Sequence, residues 1–141
     1  MSPEYLPRGG DALLIPSGVG VKHLFFVLSG SLMLPGHGTV AQAVLVNATS
    51  IRAGIPHDAA CELAPGCHPF VQHESFVAYR HLRVDPVTHV CAMVASGVWS
   101  RHERCADALL QRILTGLCAS KLAAREMKIA FDCPSVLSRQ K

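Results

Sequence analysis

The chain has 141 residues, half of them hydrophobic and 16% charged, with 13 Lys+Arg, 10 Asp+Glu and 8 His giving a formal net charge of +3. That length fits one domain, 1–141, able to bury a core, and the composition excludes a disordered or acidic solvating chain. The longest apolar stretch, residues 21–34, is broken by Lys22, His23 and Gly30, so no segment reaches the ~18 residues of a membrane helix. The positive charge is unevenly placed: residues 101–141 carry 8 Lys+Arg and 4 Asp+Glu, while seven of the eight histidines precede them. So mild an excess does not by itself indicate nucleic-acid binding.

Residues 1–20 are rich in Pro and Gly and read as an irregular lead-in. Residues 22–29 form a short apolar, aromatic run closed by Gly30, which predicts a buried strand. After a Pro-Gly loop, residues 40–50 predict a second strand that turns polar at its end. Short strands are expected at 60–63, 68–71, 75–82 and 88–94, separated by turn signals such as Pro65-Gly66 and Asp85-Pro86. From Ser100 the pattern changes. Ser100 and Glu103 have capping-box spacing, and Cys105, Leu109, Leu110, Ile113, Leu114, Leu117 and Cys118 recur at helical intervals. Gly116 is expected to kink or split this helical segment, 100–131, and Trp99 to anchor it. The whole predicts a mainly β, α+β fold: a small barrel of short strands (20–95) with one or two C-terminal helices.

The opening residues lack the basic start and apolar stretch of a secretory signal, which predicts a cytoplasmic chain. Its six cysteines are then expected as thiols. Cys61, Cys91, Cys105 and Cys118 lie in apolar periodic segments, and no CxxC pair exists.

No GxGxxG, P-loop, HExxH or GxSxG motif is present. The chemically dense region is 47–80. Cys61, Cys67, His68 and His73 offer zinc-binding atoms, but their spacing matches no usual zinc site and adjacent strand residues point to opposite faces, so neither a metal nor another cofactor is expected. Cysteine–histidine pairs could serve nucleophilic chemistry, yet nothing selects one pair. A third chemistry needs only a base, an acid and phosphate ligands, because RNA carries its own 2′-OH nucleophile. His57, His68, Arg52, Arg80, Thr49 and Ser50 are sufficient parts for it. Each has a plainer role open to it: His68 a strand start, Thr49-Ser50 a strand end, His57-Asp58 a turn with Asp capping the backbone.

Three segments in order, His-Leu-Phe-Phe-Val-Leu-Ser (23–29), Ala-Val-Leu-Val-Asn-Ala-Thr-Ser (43–50) and Glu-Ser-Phe-Val-Ala-Tyr (74–79), resemble the MazF/PemK-like toxin family over residues 20–95. The resemblance implies an SH3-like barrel that acts as a homodimer. It would cleave single-stranded RNA without metal and be neutralised by an antitoxin protein, with no membrane and no DNA bound by the toxin alone. Thr49 and Ser50 match the family's Thr/Ser position, His23 stands where the family often has Arg, and Arg80 follows the later strand. The expected catalytic residues are His68, Arg80, Thr49 and His57, with Ser50, Arg52, His23 and His73 binding substrate. The alternative is a non-catalytic SH3-like module that binds protein.

Overall fold

A computed structural model describes residues 4–134. The elements in order are β1 (Ala12–Pro16), β2 (Lys22–Leu32), β3 (Gln42–Ser50), β4 (Glu62–Leu63), β5 (Ser75–Val77), a 3-10 turn (Tyr79–His81), β6 (Arg83–Pro86), α1 (Val87–Ala95), β7 (Ser100–His102), α2 (Asp107–Ala119) and α3 (Arg125–Ala130). The expected mainly β, α+β class holds. The expected barrel does not close. The antiparallel sheet runs β4-β5-β3-β2-β1-β7, with β6 also on β3, and its two ends, β4 and β7, do not pair among the described residues.

Period-2 alternation builds two cores, one on each face of this sheet. Leu24, Phe26 and Leu28 of β2 and Val44 and Val46 of β3 pack with Leu109, Ile113 and Leu117 of α2. Those three recur at i, i+4 and i+8, one stripe of a helix; each side chain so buried contributes about 1.5–3 kcal/mol. On the other face Val27, Ala43 and Leu45 pack with Leu13, Ile15, Val90 of α1 and the buried Trp99.

Five expectations are corrected. The lead-in contains β1, which lies between β2 and β7. Residues 88–94 are helical, because Val87, Val90 and Val94 align on one face against the second core and Gly97, at φ 81°, ends the turn. Ser100 caps no helix: it pairs with Leu14, and α2 starts at Asp107. Residues 68–71 are a turn rather than a strand. Gly116 neither kinks nor splits α2. Its missing side chain lets the helix press on Tyr79 and Cys61.

The cysteine expectation is also corrected. Cys118 at the end of α2 is bonded to Cys133, while Cys61, Cys67, Cys91 and Cys105 are free. Asp132, at φ 56°, supplies the left-handed residue that closes α3, with Asp132 N–H donating to Ile129 O and Cys133 N–H to Lys128 O. This paired return of the chain aims Cys133 back at α2. Among the described residues no helix is long and apolar enough to cross a membrane.

Candidate active site

Thr49 and Ser50 are consecutive on β3, so they point to opposite faces. Thr49 is opposite Phe76 of β5, and its face opens on a cleft of about 370 Å³. Asn47, two residues earlier on the same face, donates from Nδ2 to Thr49 Oγ1 at 3.1 Å. The hydroxyl proton of Thr49 is thereby left to donate into the cleft.

The next wall follows from one buried tyrosine. The N–H of Ala78 donates to Asn47 O, and the chain then enters the 3-10 turn. Tyr79 points inward, 1% exposed, and its hydroxyl donates to Ile113 O at 2.6 Å. Arg80 and His81 are therefore turned outward onto the cleft. Arg80 has no ion-pair partner among the described residues.

The loop between β3 and β4 supplies the third wall. His57 Nε2 lies 2.7 Å from Glu62 Oε2, and its ring leans on Phe76 with centroids 5.2 Å apart. The carboxylate selects the tautomer with the proton on Nε2, which leaves a lone pair on Nδ1. Asp58 Oδ1 accepts from Ala60 N–H, the backbone cap expected of this turn. Its Oδ2 accepts from Ser120 Oγ at 2.5 Å, and Leu122 completes the rim. The cleft thus presents an imidazole held by Glu62, a guanidinium, a hydroxyl and a second imidazole, while both nearby carboxylates are engaged.

Of the expected catalytic residues, Thr49, His57 and Arg80 share this cleft; His68 does not. His68 is 2% exposed; its Nε2 donates to Glu103 O at 2.5 Å and its Nδ1 accepts from Phe70 N–H. With both ring nitrogens used and its ring packed on Phe26 and His102, it holds structure and reaches no substrate. Ser50 and His73 line a separate hollow of about 440 Å³ with Phe70 and His102. Arg52 is exposed in the turn after β3, and His23 lies opposite Ile15; neither lines the cleft. Sequence reading missed His81, although it adjoins Arg80, and the partners Glu62 and Ser120, which folding brings to His57 and Asp58.

Burial pushes the Cys61, Cys67 and Cys105 thiols up from their ordinary pKa, and Cys91 likewise. They are protonated near neutrality and are poor nucleophiles. Among the described residues no three His, Cys, Asp or Glu side chains come together as a metal site. No protein-family model matches the chain, and no curated protein matches it.

Proposed function

We propose that this chain is an endoribonuclease of the MazF/PemK-like kind, cutting single-stranded RNA by acid–base catalysis with no metal. The observation that carries the reading is the convergence of Thr49, His57, Arg80 and His81 on one cleft. His57 Nδ1 takes the proton of the ribose 2′-OH, and the 2′ oxygen attacks the adjacent phosphorus. Arg80 and the Thr49 hydroxyl hold the non-bridging oxygens as charge builds there. His81 gives a proton to the departing 5′ oxygen, leaving a 2′,3′-cyclic phosphate. The reading extends to a cytoplasmic toxin, homodimeric and held in check by an antitoxin protein.

The test is incubation of the purified chain with single-stranded RNA in the presence of a chelator. Cyclic-phosphate ends are expected, with His57→Ala lowering the rate by about 10²–10⁴-fold and Arg80→Ala also strongly impaired. RNA left intact by the wild-type chain refutes the proposal. One observation favours the second reading, a protein-binding module: an apolar hollow of about 310 Å³ beside α1, lined by Val87, Cys91, Ala92 and the exposed Leu6. Expression in a host separates the two, since only the nuclease arrests growth in a manner that Arg80→Ala relieves.

A further inference from the structure

The Cys118–Cys133 disulfide closes a segment that is tied to the candidate cleft. Cys118 lies in the last turn of α2, Cys133 follows α3, and of the residues between them Leu122 reaches the cleft. Ser120, 1% exposed, is the joint. Its hydroxyl accepts from the N–H groups of Leu122 and Ala123 and donates to Asp58, in the loop that carries His57. Leu122 itself lines the cleft. A single hydroxyl thus ties the α2–α3 turn to the catalytic loop.

Little else holds α3 down. None of its residues is fully buried, and Met127, Ala130 and Phe131 are only partly packed on the core. Among the described residues the backbone hydrogen bonds of 124–133 stay within that segment, and none of its side chains forms an ion pair. The covalent bond to α2 is its principal anchor.

We propose that Cys118–Cys133 is a reversible redox modification site whose reduction releases residues 120–133 and loosens the cleft. The reductant is a dithiol. Its thiolate attacks Cys118 Sγ, on the half-buried partner, because Cys133 has no exposed surface. The Cys118–Cys133 S–S bond breaks, and Cys133 leaves as a thiolate and takes up a proton. The reductant's second thiol then attacks the mixed disulfide, freeing the Cys118 thiol. The dithiol is oxidised to a disulfide as two electrons pass to the protein. The four other cysteines, held as thiols, compete poorly for the bridge. The effect on RNA cleavage rests on the nuclease reading; the release itself does not.

The test compares the full-length chain, air-oxidised and reduced with dithiothreitol. Lys121, Arg125 and Lys128 place three trypsin sites inside the tethered segment. Reduction is expected to speed nicking there about tenfold or more, and the amides of residues 57–60 to exchange faster. Cys118→Ser and Cys133→Ser should nick at the reduced rate with or without dithiothreitol, and RNA cleavage should show a several-fold higher KM after reduction. Six free thiols in the air-oxidised chain, or equal nicking in both states, overturns the proposal. Faster nicking with unchanged exchange at 57–60 overturns the link to the cleft. RNA uncut in both states sinks the nuclease reading, while nicking and exchange still decide whether the disulfide clamps the segment.

Discussion

Replacing Gly116 by alanine tests the joint between helix and cleft. In an open helix interior the change stabilises by about 1 kcal/mol, since alanine is the better helix former. Here the added Cβ would meet the Tyr79 hydroxyl, lie 2.9 Å from Cys61 Cβ and 3.1 Å from Ala60 O. Tyr79 cannot give way cheaply, because its ring is 1% exposed and its hydroxyl is bonded to Ile113 O. Overpacking costs about 1–3 kcal/mol, and breaking that buried bond adds about 1–3 kcal/mol. The net expectation is a loss of about 3 kcal/mol, which for a chain of this size lowers Tm by about 10 °C. Urea melts should show a lower midpoint at an unchanged slope. In a Tyr79→Phe background the same change should cost about 1 kcal/mol or less, because the main obstacle is gone. A Gly116→Ala chain as stable as wild type, or more so, refutes the packing argument. The same displacement would turn Arg80 and His81 off the cleft, so activity per folded molecule should fall as well.

His68→Ala should destabilise by about 3 kcal/mol, the sum of a core cavity and an unpaired Glu103 carbonyl, while RNA cleavage per folded molecule is unchanged; an active-site effect would contradict its structural role. Asp132→Gly should stabilise by about 0.5 kcal/mol, the relief of left-handed strain less glycine's extra unfolded-state entropy, read from the melting midpoint. Burial raises the folded pKa of the four free cysteines and of Tyr5 and Tyr79 above their unfolded values. Their stabilising contribution is therefore complete below the ordinary cysteine value of about 9 and is lost as pH rises beyond it. Tm should hold from pH 7 to about 9 and fall above that; a flat profile to pH 10.5 would show that these groups are solvated.

How much was legible in the sequence depends on whether local pattern or distant contact decides each feature. β2 and β3 could be read because both alternate over long spans, and the polar end of β3 pointed to Thr49 through residue pattern alone. α1 could not, because a nine-residue apolar run rich in valine fits a strand as well as a helix. β7 exists through its partner β1, more than 80 residues earlier, so the capping spacing at Ser100 misled. His68 looked catalytic because burial of a satisfied imidazole leaves no mark in sequence. Cys118 and Cys133 carry no spacing signature; the closing turn at Asp132 brings them together.

The position of β1 also has a consequence in time. Its free edge waits for Ser100–His102, and the N–H of Cys105 donates to Gly10 O. At ribosomal speeds those partners emerge roughly 5–20 s after β1 itself. Until then Leu13 and Ile15 lack their cover, and Tyr79 lacks the α2 carbonyl that turns Arg80 outward. The cleft thus assembles only after α2 has been made, so on the reading proposed above a protein that cuts RNA is inert while its first 113 residues are being synthesised.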